Sequence, residues 1–157
     1  MIIMAKEEAV ISITKKVKAK TVIIGFPGFG LVSTIATGFL VDHLQCEQIG
    51  KYWFEEGVPT LAIHNGKLVD PVGIYYNKKY DLVLIHSIAP IHGQEWKTAD
   101  LVLSVAKQVG AEEIISTEGV GSQEQRETRG YFYTSNPTHR KKFEKIGIDC
   151  LGEGIVV

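Results

Sequence analysis

Three short apolar runs govern what this chain can become: Thr21–Gly25 (TVIIG), Asp81–His86 (DLVLIH) and Glu113–Thr117 (EIIST). Each is rich in branched aliphatic residues, the pattern of a strand covered on both faces. Each leads through a glycine-bearing loop towards a segment with helical features. After the first, Leu31/Val32, Ile35, Ala36, Phe39, Leu40 and His43/Leu44 form one broad apolar face. After the second, Glu95–Val109 reads as a helix with Ala99, Val102, Leu103 and Ala106 on one side. Glu95 lies in its first turn, where the dipole favours an anion, and Gly110 closes it. After the third comes a long polar loop, Glu118–Gly130, and a short strand, Tyr131–Thr134. Asn136-Pro137 then starts a helix that runs to about Ile146, ends at Gly147 and precedes a brief strand at Ile148–Cys150. Strands alternating with helices predict an α/β fold: a three-layer arrangement with a mostly parallel sheet.

The middle of the chain follows another rule. Between Gln48 and Tyr76, short aromatic and β-branched runs are separated by Gly57-Val58-Pro59 and by Asn65-Gly66. Asn-Gly between two apolar runs is a hairpin signal, so this section is expected to be an antiparallel meander. Val10–Ile13 is a further strand, followed by a charged turn, Lys15–Lys20. The 157 residues are expected to form a single domain, 1–157. The closing GEGIVV reads as a new strand, so a C-terminal continuation of the domain is expected.

Net charge is −1, without the basic excess that would suggest nucleic acid or an anionic membrane. Lys6, Glu7 and Glu8 interrupt the N-terminal apolar stretch, which is not the pattern of a signal peptide. Leu31–Val41 is too short to span a bilayer. Cys46 and Cys150 read as two buried thiols. A cytoplasmic protein is expected.

Ligands of such folds gather at the carboxyl ends of the strands, here Gly25–Gly30, His86–Gly93 and Thr117–Gly130. The first of these, Gly25-Phe26-Pro27-Gly28-Phe29-Gly30, has the layout of a phosphate-binding turn. It fails as a P-loop, because Leu31 and Val32 stand where lysine and a hydroxyl are needed. It approaches a dinucleotide fingerprint, with Ser33 in the last place and Glu55 or Glu56 available for a ribose. The meander, however, takes the place of the required helical crossover. Gly25, Gly28 and Gly30 remain a possible anion-binding turn at a helix N-terminus. An inward Phe26 or Phe29 is ordinary core; an outward one marks an interaction surface.

Other constellations carry less. His86, His92 and Glu95 match no tight metal-ligand spacing, and no metal or other cofactor is expected. Ser87, His86 and Glu118 lack a Gly-x-Ser-x-Gly elbow, so no catalytic residue is assigned. The run His139–Lys145 reads as a solvated helix face with Phe143 and Ile146 turned inward. Trp53, Phe54, Tyr75 and Tyr76 read as strand aromatics of the core, on a meander whose edge could pair with another subunit.

Four segments in order resemble archaeal members of the proteasome assembly chaperone 2 family: IIGFPGFGLVSTIATGFLVDHL, VPTLAIHNGKLVDPVGIYY, the stretch Asp81–Ser122, and FEKIGIDCLGEGIVV. The resemblance implies a nucleoside phosphorylase-like core, no enzymatic activity, self-association into a homo-oligomer, and binding to proteasome α-subunits. It also implies a C-terminal tail ending in a hydrophobic residue, tyrosine and any residue; Ile155, Val156 and Val157 do not match it. Phosphorylases of that fold hold phosphate with Gly-Asp-Pro-Gly-Arg, to which Gly25-Phe26-Pro27-Gly28-Phe29 is similar, with both charged positions replaced by phenylalanine. The best candidate partner contacts are Phe26, Pro27, Phe29, Ile91 and Trp96. The alternative is a phosphorylase-like enzyme, or a nucleoside- or nucleotide-binding protein, with Glu118, Arg126 and Arg129 as its charged groups.

Overall fold

The computed structural model describes residues 11–54, 57–120 and 129–154. The chain divides into two compact units between Gly119 and Val120. The strands are β1 (Ile11–Ile13), β2 (Thr21–Gly25), β3 (Glu47–Tyr52), β4 (Ala62–His64), β5 (Lys67–Val69), β6 (Val72–Asn77), β7 (Leu82–Ser87), β8 (Glu113–Ser116), β9 (Tyr131–Phe132) and β10 (Asp149–Cys150). The helices are α1 (Val32–His43), α2 (Glu95–Val109) and α3 (Pro137–Lys145).

The first unit is built on a six-stranded sheet ordered β1-β3-β6-β7-β2-β8. Its β7, β2 and β8 are parallel, while β1, β3, β6 and β7 pair antiparallel in succession. This corrects the expectation of a mostly parallel sheet: the sheet is mixed. The outer meander strands β3 and β6 extend the main sheet, so three of its five pairings need no helical crossover. Only β4 and β5 stand apart, as a hairpin turned by Asn65 (φ 50°) and Gly66 (φ 72°).

Alternation along the strands sorts side chains between two faces. Val22, Ile24 and Phe26 share a cluster with Ile85, Val83, Ile74, Val72 and the α2 residues Leu101, Val102, Val105, Ala106 and Val109. Burying each such aliphatic side chain contributes roughly 1.5–3 kcal/mol. The inner face of α2 is therefore Thr98, Leu101, Val102, Val105, Ala106 and Val109; Ala99 and Leu103 lie outside it. Gly110, at φ 73°, caps the helix as its position suggests.

The other face receives α1 through small and polar groups. A Cβ at Gly25 would lie 2.0 Å from Thr37 Oγ1 and 2.7 Å from the Ser33 carbonyl oxygen. A Cβ at Gly38 would lie 3.3 Å from His86 Cε1. Ser33 and Thr37 are the fully buried residues of α1, whereas Leu31, Val32, Ile35 and Phe39 are exposed. The broad apolar face expected to pack on the sheet thus points outward over most of its length. Close backbone approach favoured the seat lined by glycine and hydroxyls.

Strand β7 is buried throughout, as its composition predicts. β8 is not: Ile114 and Ile115 are both partly exposed, because β8 is the last strand of the sheet. In the second unit β9 and β10 pair in parallel, and Phe132 stacks on Phe143 of α3 at 4.9 Å. The Asn136 side chain accepts from Thr138 N–H, with Pro137 in the first turn. Ile146, expected to face inward, is 68% exposed, since it follows the last turn and lies beyond the Phe132 contact.

Candidate functional site

The carboxyl ends of β7, β2 and β8 lie side by side and carry the three loops singled out from the sequence. The first loop leaves β2 at Gly25 and turns through Pro27 and Gly28 into a single 3-10 turn, Phe29–Leu31. Gly30 (φ 65°) and Leu31 (φ 55°) are successive left-handed residues, and Leu31 N–H donates to Gly28 O at 3.1 Å. A left-handed leucine costs on the order of 1 kcal/mol, which the surrounding contacts offset. No side chain caps the N-terminus of α1, and its first turn holds no acidic residue.

The two phenylalanines part here. Phe26 is buried at 8% and belongs to the α2-side cluster. It continues the Val22–Ile24 face, so it is a core residue and not a surface contact. Phe29 is 66% exposed. After β7, Ile91 is half-buried against the core, while Trp96, in the first turn of α2, is 86% exposed. Pro27 is half-buried beside Phe29.

The space beside the glycine turn contains a carboxylate of the chain itself. A Cβ at Gly28 would lie 2.8 Å from Glu118 Oε2, and Ser116 Oγ donates to Glu118 Oε1 at 3.0 Å. A Cβ at Gly119 would lie 2.0 Å from Phe29 O. Thr117 Oγ1 donates to Ser33 Oγ at 3.3 Å. The end of β8 is therefore pressed onto the turn, and the two glycines permit that contact. A fixed negative charge at this place repels an incoming phosphate. No sequence pattern isolates Glu118 as the group beside Gly28; only the β2–β8 pairing brings them together.

His86 and Ser87 point to opposite faces of β7. His86 Nδ1 lies 2.9 Å from Thr37 Oγ1, and its ring meets Tyr75 edge-on at 6.4 Å. Ser87 Oγ donates to Ala89 O and Pro71 O. Glu118 bonds to neither, so the three groups do not form a hydrolase triad. Burial holds His86 below the usual imidazole range, partly opposed by Asp42, and pushes the Tyr75 phenol up. Glu95 accepts from Gly93 N–H, and backbone bonds of this kind hold its carboxyl below the usual range. Among the described residues, no three His, Cys, Asp or Glu side chains converge in a way that would hold a metal. No described helix is long and apolar enough to cross a membrane. Cys46 and Cys150 are both half-buried free thiols. Glu55, Glu56, Arg126 and the final three residues, named above for a ribose, a ligand cleft and a tail, lie outside the described residues.

A mixed sheet flanked by α1 and α2, with a glycine turn facing protein groups, defines an α/β scaffold. Residues 22–156 match the model of the PAC2 family, and the chain belongs to that family. The fold is similar to Pyrococcus furiosus PbaA, an archaeal homologue of proteasome-assembly chaperone. The TM-score is 0.79 and the identity 24%, over 94% of this chain and 62% of that one. A Thermoplasma acidophilum protein of unknown function is 23% identical, with a TM-score of 0.77, over 90% of this chain and 59% of that one. Pyrococcus furiosus PbaB, an archaeal proteasome activator, is 18% identical, with a TM-score of 0.76, over 96% and 71%. The chain thus spans less than two thirds of the length of PbaA. No curated protein sequence matches it.

Proposed function

We propose that this protein is a non-enzymatic assembly chaperone of the proteasome that binds α-subunits and acts in the cytoplasm as a homo-oligomer. The observation that carries this reading is the state of the glycine turn. Its sequence is similar to a phosphorylase phosphate turn, but Glu118 stands against Gly28 and Phe29 is turned to solvent. Family membership and the likeness to PbaA support it.

In this reading the contact surface lies at the carboxyl end of the sheet. Phe29 and Trp96 are the anchors, with Pro27 and Ile91 supporting them, and large aromatics of this kind dominate protein interfaces. Apolar and strand-edge surface on a partner subunit would be masked there until the proper neighbour arrives. Such masking requires no nucleotide and no metal. Pull-down from a cell extract with the full chain as bait, with the captured proteins identified, tests the proposal. Recovery of α-subunits is expected; their absence would contradict it.

A further inference from the structure

We propose that the outer face of α3 is a docking site for an acidic segment of another protein, whose carboxylates meet Lys141, Lys142 and Lys145. The α-subunit reading rests on Phe29 and Trp96, in the first compact unit. This surface belongs to the second unit and goes beyond that reading.

The first observation is the placement of charge around the helix. Thr138, Lys141, Lys142 and Lys145 stand at i, i+3, i+4 and i+7, which puts them on one stripe. The stripe lies opposite Phe143, which stacks on Phe132 and marks the inner side. All four residues are exposed, and with Pro137 they line a depression of about 450 Å³. Arg140 and Glu144 are outside that lining. Arg140 Nε lies 3.7 Å from Glu144 Oε1, and Nη2 lies 3.0 Å from Cys150 Sγ. Glu144, the single acid of α3, thus faces Arg140. Among the described residues, none of the three lysines has an ion-pair or hydrogen-bond partner.

The second observation is that the stripe works against the helix that carries it. Lys141 and Lys145 are a like-charge pair at i, i+4, which destabilises a helix. Lys142 and Lys145 suit the negative end of the dipole, but Lys141 lies outside the last turn, and the first turn holds no acid. Helix stability therefore accounts for two of the three lysines. An anionic partner relieves the repulsion and supplies the missing carboxylates. Lysines are point charges without the planar fork that arginine offers a phosphate. The lining has neither an arginine nor an aromatic ring on which a base could stack. The net charge of the whole chain is −1, without the basic excess of a nucleic-acid-binding domain. The fit is therefore to a short run of Asp or Glu. Thr138 to Lys145 is a rise of about 10.5 Å, which matches carboxylates two turns apart on an acidic helix.

The test is fluorescence anisotropy of a labelled helical peptide of about 12 residues, with Glu at every third or fourth position, titrated with the full 157-residue chain. Saturable binding that weakens as NaCl is raised is expected, with none to the Gln counterpart of the peptide. Lys141→Gln/Lys142→Gln/Lys145→Gln should weaken binding about ten-fold, the product of three exposed charge contacts of about two-fold each. The control, Lys16→Gln/Lys18→Gln/Lys20→Gln, removes the same charge from the turn before β2 and should leave binding unchanged. All six lysines are exposed, so both variants should keep the circular dichroism of the wild type. If the α3 variant does not fold, Lys141→Gln takes its place, with an expected loss of about two-fold. Equal loss in the two triple variants, equal binding of the Gln peptide, or no binding at about 1 mM chain overturns the proposal. So does tighter binding of an oligothymidylate of the same charge, lost in the α3 variant, which would make the patch a nucleic-acid site. No measurement here involves a proteasome subunit, so this proposal and the α-subunit reading fail separately.

Discussion

Thr37 Oγ1 lies 2.9 Å from His86 Nδ1, and this contact joins α1 to the centre of the sheet. The threonine hydroxyl has one proton and donates it to Ser33 O, also at 2.9 Å. Its free lone pair is therefore placed to accept from Nδ1–H, a proton that the neutral tautomer and the imidazolium both carry; it is burial that favours the neutral ring. The bond is one of several contacts, with the close approach at Gly25 and Gly38, that seat this side of α1 on the sheet.

A pH dependence follows from it. Burial disfavours the imidazolium, so folded His86 titrates below its ordinary value of 6.5. As pH falls, the unfolded chain takes up the proton first. The contribution is therefore fully present above about pH 6.5 and is lost as pH drops from there towards the lower folded value. Urea midpoints measured from pH 7.5 to 5 should decline more steeply for the wild type than for His86→Asn, which keeps a donor near the Nδ1 position. Superimposable profiles would show that His86 is not buried in its neutral form.

The seat of α1 should be intolerant of a single methyl group. Gly25→Ala places a Cβ against Thr37 Oγ1 and the Ser33 carbonyl, and the second of these is backbone. The cost should be about 1–3 kcal/mol, the range for overpacking. Gly66→Ala meets no atom within 4 Å and strains only its left-handed turn, at a cost nearer 1 kcal/mol. Chemical denaturation of the two variants side by side checks the order.

The glycine turn should not bind phosphate. With Glu118 beside Gly28 and no arginine in the turn, titration calorimetry with inorganic phosphate, or with nucleosides, should give no saturable heat at millimolar ligand. Tight binding would restore the phosphorylase-like alternative. The same experiment with Glu118→Gln shows whether that carboxylate is what excludes the anion.

Much of this molecule is legible in the residues, and the rest is hidden for identifiable reasons. Asp81–His86 reads as a doubly covered strand, and β7 (Leu82–Ser87) is buried throughout. Asn65-Gly66, Asn136-Pro137 and Gly110 mark local conformations that the chain cannot easily form otherwise, and each is found where expected. The orientation of α1 was not legible. Periodicity locates an apolar stripe but does not say whether it meets the sheet or another molecule, and the competing seat was made of Gly25, Ser33 and Thr37. Nor does composition distinguish an edge strand from a central one, so Ile114 and Ile115 read as buried. The opposite fates of Phe26 and Phe29 depend on where β2 ends and its alternation stops. The pairing of Gly28 with Glu118 joins positions far apart in sequence, which only the sheet order brings together.

The central claim is that the exposed aromatics at the carboxyl end of the sheet grip a proteasome α-subunit. Phe29 and Trp96 are exposed enough that Phe29→Ala/Trp96→Ala should change unfolding stability by no more than about 0.5 kcal/mol per site. The measurement that tests the claim most directly is calorimetric titration of purified α-subunits with the wild type and with this double variant. Saturable binding that weakens at least 30-fold in the variant, the loss of about 2 kcal/mol typical of one interface anchor, is the expected result. No binding by the wild type, or equal binding by both, would contradict the claim.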